Sequence, residues 1–506
     1  MKKVKFKRIS LSLATLAAVL YIATPYVSAA PIIPPDTMNT INGNFSQNQA
    51  TKLGGAIYMT SGNAYIDAIY GDFSQNAVTG TGLTGTYGGG AIYTTGGSIR
   101  YIEGDFEYNT STGMGGAIAK TSNGTNLSNF TTIKSNFSHN TAYGPGGAIW
   151  HNTSGSTITT IQGNFSNNTS TNNGGGAIYN GDATIGTING DFTSNYSGTY
   201  GGAISNAGTR SIISAINGNF TSNSGSYGGG ITNDVGAQIG SISGIFRENI
   251  ARTTSGGGAI YNKGSIGTIT GSFIENESAI YGGAIFLPGS SVIKSIEGTF
   301  RENESGATGA GLHAGSASVI YNLNADFIDN IAGSYAPAFA TSGTIHRFTG
   351  NVTGNTYGNT SSAAVIAQSG ATINIATSDT KDVLFSDNHH STNTASTHYR
   401  DLGIWGGTSY NSTANLNAGA GHSITFDGGV QGSSLQSQTV NSGILNINKD
   451  ISYDVPNDDG ETYTNVILPT GGDYVFNSYL KDVDIYLYND ANIKLGSHLQ
   501  SNGDTT

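Results

Sequence analysis

The sequence contains no cysteine, few charges and only nine prolines. Without cysteine the chain forms no disulfides, so packing and hydrogen bonds must stabilise it alone. Only 10% of residues are charged and the formal net charge is −11. An acidic chain of this kind offers no basic stripe to a phosphate backbone, and no nucleic acid partner is expected. No stretch after residue 30 is apolar for long enough to span a bilayer as a helix.

The chain also lacks the motifs of common catalytic centres. It has neither a G-x-S-x-G elbow nor a Walker lysine. Gly80–Gly85 match G-x-G-x-x-G, but no helical pattern follows them, so the match reflects repeat composition. His389, His390 and His398 lie in a polar insertion without a fourth ligand at helical spacing, which favours a solvated loop over a zinc site. The sequence therefore predicts no catalytic residue, no metal site and no cofactor.

The first thirty residues have the order of a secretory signal peptide. Five basic residues precede an apolar run from Ile9 to about Val27, and small residues close the segment. Cleavage is expected after Ala29 rather than Ala30, because cleavage after Ala30 would leave Pro31 at the new N-terminus. An uncleaved membrane anchor is the alternative, which the small residues at the end of the run disfavour. Removal of the segment takes the net charge from −11 to −16.

Glycine is abundant, with 75 residues, and much of it belongs to a unit that recurs about every 27 residues. The clearest copy, Ile188–Ile204, reads INGDFTSNYSGTYGGAI and pairs F-x-x-N with G-G-A-I. Self-similarity at a fixed period indicates a solenoid, in which each unit buries its apolar face against its neighbours. The phenylalanines of F-x-x-N are Phe45, Phe73, Phe106, Phe137, Phe165, Phe192, Phe220, Phe246, Phe273, Phe300 and Phe327.

The pattern inside one unit indicates strands and not helices. Ile188, Gly190 and Phe192 alternate with polar residues, which is the period of a half-buried strand. Repeated glycine would also cost a helix about 1 kcal/mol per residue. The prediction is an all-β fold, a right-handed parallel β-helix of about 27-residue coils, with stacked phenylalanines and a hydrogen-bonded ladder of asparagines from F-x-x-N. The strands expected in this unit are Thr184–Ile188, Ile188–Phe192 and Gly202–Ser205.

The regularity of the repeat divides the chain into zones. The predicted zones are a signal peptide at 1–29, an extended leader at 30–37, regular coils at 38–334, degenerate coils with insertions at 335–415, and C-terminal β-structure at 416–506. In the degenerate zone Phe348–Asn351 and Phe385–Asn388 keep F-x-x-N without a following G-G-A-I. The strand-like runs after residue 416 favour a continuation of the solenoid.

A column of aromatic residues is the candidate for ligand binding. In G-G-A-I-x the isoleucine must face the core, so the period of two is expected to turn the next residue outward. An exposed, interrupted aromatic stripe would suit glycan rings or a partner's strand. Loops that cover the rings, or a mere preference of aromatics for strands, are the alternatives. The stripe contains Tyr58, Tyr93, Trp150, Tyr179, Tyr261 and Phe286, interrupted by Ala119, Ser205 and Thr232.

The paired motifs, such as Phe192–Asn195 with Gly201–Ile204, resemble the repeats of chlamydial polymorphic outer membrane proteins. More broadly they resemble β-helical passenger domains of type V autotransporters. The resemblance covers roughly Ile41–Asn330, and it implies a secreted or surface-displayed passenger at the outer membrane of a Gram-negative bacterium, often adhesive. Membrane attachment is then expected only through a C-terminal β-barrel with an aromatic terminus. The chain ends at Gly503–Thr506 without that feature, so a fragment or a different export route is expected.

Two classes of function remain open from the sequence. A non-enzymatic surface adhesin or structural passenger is favoured, because the repeats concentrate no catalytic groups. Its expected partners are a host-surface glycan or protein, or neighbouring bacterial cells. The alternative is a β-helical carbohydrate-active enzyme, a polysaccharide lyase or hydrolase, with its site in the irregular region 334–429.

Overall fold

Each repeat folds into one coil of a parallel β-solenoid in the computed structural model of the chain. The structure describes residues 37–447 with gaps at 61–63, 81–87, 122–128, 254, 360–361, 392–400, 406–411, 433–434 and 438–443, and strands at 19–21, 464–468, 473–476, 483–487 and 492–495. Every regular element in these residues is a strand, and none is a helix. Each strand pairs in parallel with its counterpart one coil away. The predicted all-β solenoid is therefore confirmed.

The first sheet takes two strands from most coils. A longer strand carries two inward isoleucines, and a shorter one starts at the phenylalanine of F-x-x-N; in three successive coils the two merge. The strands are Val19–Tyr21, Thr37–Asn42, Phe45–Ser46, Tyr65–Tyr70, Phe73–Ser74, Ser98–Glu103, Phe106–Glu107, Asn129–Lys134, Phe137–Ser138, Thr157–Gln162, Phe165–Ser166, Thr184–Asn189, Phe192–Thr193, Ile212–Asn217, Phe220–Thr221, Gln238–Ser243, Phe246–Arg247, Ser265–Ile274, Val292–Arg301, Val319–Ile328, Thr344–Thr349, Val352–Thr353, Thr372–Ala376, Val383–Ser386, Thr413–Asn417, Ser423–Phe426, Leu435–Ser437, Ile444–Ile447, Thr464–Leu468, Asp473–Phe476, Val483–Leu487 and Asn492–Leu495.

The second and third sheets take one short strand each from a coil. The second sheet follows the asparagine of F-x-x-N and contains Gln49–Ala50, Ala77–Val78, Thr110–Ser111, Thr141–Ala142, Thr169–Ser170, Tyr196–Ser197, Ser224–Gly225, Ile250–Ala251, Glu277–Ser278, Glu304–Ser305, Ile331–Ala332, Thr356–Tyr357 and His389–His390. The third sheet follows the glycine pair and contains Ile57–Met59, Ile92–Thr94, Ile118–Lys120, Ile149–Asn152, Ile178–Gly181, Ile204–Ala207, Ile231–Asn233, Ile260–Asn262, Ile285–Leu287, Leu312–Ala314, Phe339–Thr341, Val365–Gln368, Leu402–Trp405 and Val430–Gly432.

The phenylalanines form a continuous stack inside the solenoid. From Phe45 to Phe327, the ring centroids of successive coils are 4.6–5.0 Å apart and the rings are within 2–12° of parallel. All the rings except Phe45, at 4%, are fully buried. The stack lies against the inward isoleucines of the first and third sheets, which belong to the same core cluster. The predicted aromatic column is confirmed.

The asparagines form the predicted ladder at the corner between the first and second sheets. Asn195 Nδ2 donates to Asn223 Oδ1 at 3.0 Å and to the carbonyl oxygen of Phe165 at 2.9 Å. The backbone N–H of Asn195 donates to the same Asn223 Oδ1. This pattern satisfies buried backbone groups where the chain turns. The ladder contains Asn48, Asn76, Asn109, Asn140, Asn168, Asn195, Asn223, Asn249, Asn276, Asn303, Asn330, Asn355 and Asn388.

The strand bounds within a coil differ from those expected. The strand Tyr196–Ser197 was not predicted, and the third-sheet strand begins at Ile204 rather than at the glycine pair. The extra strand follows from the turn that precedes it. Ser194 has a positive φ of 54°, and the asparagine ladder holds the chain as it turns from the first sheet onto the second.

The F-x-x-N motif at Phe348–Asn351 is out of register with the earlier coils. Val352 pairs with Phe327, and Asn355 accepts the ladder hydrogen bonds from Asn330. Phe348 instead pairs with Leu323 in the inward isoleucine column. Phe348 therefore does not extend the phenylalanine stack, whereas Phe385–Asn388 occupies the stacking and ladder positions.

The zone boundaries stay predictions, although the sheets run across them. All three sheets continue between residues 335 and 415, and parallel pairs extend the first sheet to Asn492–Leu495. At the other end Val19–Tyr21 pairs with Thr40–Asn42. The predicted cleavage residues Ala29 and Ala30 lie outside the described residues.

Candidate binding surfaces

The glycine pair of G-G-A-I makes a turn that has no room for side chains. A Cβ on Gly282, whose φ is +57°, would lie 2.4 Å from the carbonyl oxygen of Ile285. A Cβ on Gly283 would lie equally close to the carbonyl oxygen of Ala310 in the next coil. This tight turn brings the preceding residue over the outer face of the third sheet, where the Tyr281 ring lies 5.4 Å from the Phe286 ring.

The aromatic stripe is largely covered: the expected exposure is wrong for Tyr93, Trp150, Tyr261 and Phe286, where the alternative of covered rings holds. Its side chains leave the main core, as the period of two requires, but residues before the glycine pairs pack over them. Leu53 and Met114 belong to the small cluster of Tyr93, Ala119 and Trp150. The exposed fractions are 4% for Tyr93, 6% for Trp150, 4% for Tyr261 and 6% for Phe286, while Tyr58 and Tyr179 are half-buried.

Burial also changes the chemistry of the stripe. It raises the pKa of Tyr93 to about 12, with a smaller contribution from Tyr58, and it raises the pKa values of Tyr179 and Tyr261. These hydroxyls therefore stay protonated at any physiological pH. Ligand binding by the six stripe residues stays a prediction, and the half-buried rings of Tyr58 and Tyr179 are the most accessible to a partner.

A polar column inside the third sheet was not predicted. It lies two residues after the G-G-A-I isoleucine and forms a second ladder, in which Nδ2 of Asn180, Asn206 and Asn233 donates to the next asparagine at 2.8–2.9 Å. In earlier coils the column holds Lys120 and His151, both fully buried. The recurrence of asparagine two residues after the G-G-A-I isoleucine is the sequence signal that could have revealed this column.

Lys120 and His151 form a buried polar cluster with Ser156. Lys120 Nζ lies 3.1 Å from His151 Nε2 and also contacts Ser156 Oγ. The ammonium position is 5.3 Å from the centre of the Phe130 ring. Burial lowers the pKa of Lys120 well below its ordinary value and also lowers that of His151. All three side chains are fully buried, so the cluster is part of the interior of the solenoid.

The outer face of the first sheet carries an exposed group of tyrosines near the N-terminal end. Tyr65 and Tyr70 are 38% and 42% exposed, and the Tyr70 and Tyr101 rings are 5.8 Å apart. Asp67 accepts two hydrogen bonds from the Arg100 guanidinium, at 2.6 and 2.9 Å. These five residues are called the tyrosine patch.

Hydrogen bonds hold the rings of the tyrosine patch in place. The Tyr65 hydroxyl donates to Asp67 Oδ1 at 3.2 Å, and the Tyr101 hydroxyl donates to Glu103 Oε2 at 2.8 Å. The Arg100 guanidinium lowers the pKa of Asp67, so its carboxylate stays charged. In the column of Asp67 and Arg100, central coils hold small side chains such as Thr159 and Ser214. Larger groups return in this column in later coils, at Lys294, Tyr321 and His346, so the patch is one of the regions where the column departs from small residues.

The described part of the chain contains no candidate metal site and no candidate membrane-spanning helix. No group of three or more His, Asp or Glu residues there could hold a metal ion. His389 and His390 form a second-sheet strand rather than a solvated loop, with His390 Nε2 2.8 Å from the Gly358 carbonyl oxygen, while His398 lies outside the described residues. No helix among the described residues has the length and apolarity to cross a bilayer.

Taken together, stacked coils, internal ladders and exposed sheet faces define a repetitive β-solenoid suited to surface display. The model of the Chlamydia polymorphic membrane protein repeat matches residues 42–60 and 243–263. Each matched segment contains one F-x-x-N and one G-G-A-I, so the repeats of this chain are similar to those of that family. Repeat family and fold fit a surface-displayed passenger of a Gram-negative bacterium. Comparison with curated proteins and with solved structures gave no match.

Proposed function

We propose that the chain is a non-enzymatic adhesin whose tyrosine patch contacts a protein on a host surface. Tyrosine and arginine are the residue types that most often supply binding energy at protein interfaces. The patch joins Tyr65, Tyr70 and Tyr101 to the Asp67–Arg100 ion pair on one flat sheet face. This concentration of exposed rings is the observation that supports the proposal.

The geometry of the patch favours a protein over a glycan chain. A flat face with rings and paired charges complements another flat surface, whereas a sugar unit is usually held in a concave site. The hydrogen bonds of Tyr65 and Tyr101 restrain the rings before binding, which reduces the entropy lost on association. We therefore expect a partner with an apolar centre and a polar rim.

Cell binding by the purified chain tests the proposal. Replacing Tyr65, Tyr70 and Tyr101 together by serine should weaken binding to host cells at least about tenfold, as expected for loss of interface anchors. Tyr143→Ser is the matched control, because Tyr143 is 43% exposed but lies in a different part of its coil. Equal binding by the triple variant, or an equal loss in the control, would contradict the proposal.

Treatment of the cells identifies the partner. Protease treatment should abolish binding, whereas glycosidase treatment should leave it intact; the reverse result would indicate a glycan. Clumping of bacteria that display the chain, without host-cell binding, would indicate neighbouring cells as the partner. A polysaccharide panel tests the enzyme alternative, since cleavage of any member would contradict a purely adhesive role.

A further inference from the structure

A second array of polar side chains lies on the outer face of the first sheet, in three coils near residues 292–349. The array has two columns, because alternate residues of a strand face the same side. Strand register aligns Ser295 with Asn322, and Glu297 with Asn324 and Thr349. Arg347, two residues before Thr349, continues the first column. Neighbours in a column are about 4.8 Å apart.

An insertion closes one side of this array. Residues 377–382 separate the strands Thr372–Ala376 and Val383–Ser386, and they form a strap that crosses back over the sheet. Lys381 Nζ lies 2.6 Å from Asp326 Oδ1, in a coil two turns earlier. Arg347 Nη2 donates to the carbonyl oxygen of Thr377 at 2.7 Å. The strap is therefore anchored at both ends.

The array and the strap line an open pocket of about 290 Å³. This volume lies just below the range for small-molecule sites, roughly 300–1,000 Å³. Ser378 of the strap faces the two columns across it. One small polar unit fits a space of this size.

The lining chemistry selects the kind of unit. Glu297 supplies only acceptors, Arg347 only donors, and Asn322 and Asn324 supply both. A sugar hydroxyl both donates and accepts, so adjacent hydroxyls on one ring can satisfy this mixed set. An anionic ligand would face Glu297 and a cationic ligand would face Arg347, and each would lose charge complementarity.

We infer that this pocket binds one neutral sugar unit, such as a hexose or an N-acetylhexosamine at the end of a glycan. The site is separate from the tyrosine patch, whose nearest coil lies about 34 Å away along the axis at about 4.8 Å per coil. The inference therefore does not depend on the adhesin proposal. It gives the chain a second contact with a different chemistry.

Titration of the whole purified chain with methyl glycosides of neutral sugars tests the inference, with glucuronate and glucosamine as charged comparisons. We expect saturable binding of at least one neutral sugar at millimolar concentrations. Glu297→Gln and Asn324→Ala should each weaken it about tenfold, and both residues are exposed, so the fold should be unaffected. Glu304→Gln is the matched control, since Glu304 is an exposed glutamate of the second sheet in the same coil.

Three results would overturn the inference: no binding of any neutral sugar, tighter binding of a charged sugar, or unchanged binding in both pocket variants. Host-cell adhesion and sugar binding are both measured on these variants and on the triple tyrosine variant. Pocket variants that lose sugar binding but keep adhesion test the pocket alone, and a triple variant that loses adhesion but keeps sugar binding tests the tyrosine patch alone.

Discussion

Replacing Asn195 by alanine should destabilise the solenoid strongly through hydrogen bonds alone. Four buried groups lose a hydrogen bond: the Asn168 backbone N–H, Asn168 Nδ2, the Phe165 carbonyl oxygen and Asn223 Oδ1. Asn168 Nδ2 keeps its bond to the Phe137 carbonyl oxygen, so its loss is partial. The backbone N–H of Asn195 still donates to Asn223 Oδ1.

The expected magnitude follows from this count. A buried polar group left without a partner costs about 1–3 kcal/mol. Only the Asn168 backbone N–H loses its whole hydrogen bond, because the Phe165 carbonyl oxygen keeps its ladder bond to the Thr193 N–H and the other two groups keep one bond each. One full loss and three partial losses give roughly 2–4 kcal/mol, reduced where neighbouring coils relax or water enters. Because each coil contacts only its neighbours, the effect should be concentrated in the coils on either side.

Denaturant unfolding with hydrogen exchange measures both the size and the place of the effect. The amides of Asn168 and its neighbouring coils should lose protection, while coils beyond residue 300 should keep theirs. Asn217→Ala is the matched control: Asn217 is exposed and its Nδ2 only donates to exposed Asn189, so the change should be within about 0.5 kcal/mol. A similar small effect for Asn195→Ala would refute the structural role of the ladder.

Two further predictions concern the interior. Phe192→Ala removes a fully buried ring stacked 4.9 and 4.7 Å from its neighbours, and should cost about 3–5 kcal/mol in denaturant unfolding; a cost below about 1 kcal/mol would contradict the stack. Lys120→Met should flatten the pH dependence of stability. Burial lowers the pKa of Lys120 in the folded state, so below pH 10.5 the unfolded chain binds a proton that the folded chain lacks, and stability rises with pH. In thermal unfolding, Lys120→Met should raise the melting temperature more at pH 7 than at pH 10. An equal increase at both pH values would contradict the conclusion that Lys120 is buried in its uncharged form.

The fold was predictable because its stabilising residues recur at the same place in every coil. Phe192 and Asn195 repeat with the period of one coil, so their stacking follows directly from the sequence. The extra strand Tyr196–Ser197 was not predictable in the same way, because its residues vary between coils and backbone pairing alone defines it. Side-chain periodicity therefore predicts the core better than it predicts the strands.

Register was predictable only where the motif is unambiguous. Phe348–Asn351 satisfies F-x-x-N, yet Val352 and Asn355 occupy the stacking and ladder positions. Phe348 lies seven residues before Asn355, as Leu323 lies seven residues before Asn330, and Asn355 completes hydrogen bonds that Asn330 would otherwise lack. Continuity of the ladder, which depends on the adjacent coil, outweighs the local motif.

The aromatic stripe shows that a local sequence pattern can predict the direction of a side chain without predicting whether that side chain is accessible to a ligand. The period of two correctly turned Tyr93 and Trp150 away from the core, but it carried no information about the turn at the glycine pair that covers them. Residues that recur in a column stack on, or hydrogen-bond to, their counterparts in the neighbouring coils, whether they face the core or lie under a loop. The positions free to bind are those that depart from the repeat, as Tyr65, Tyr101 and Arg347 do on the outer face of the first sheet. In this solenoid, candidate binding residues are therefore best sought where a column is interrupted.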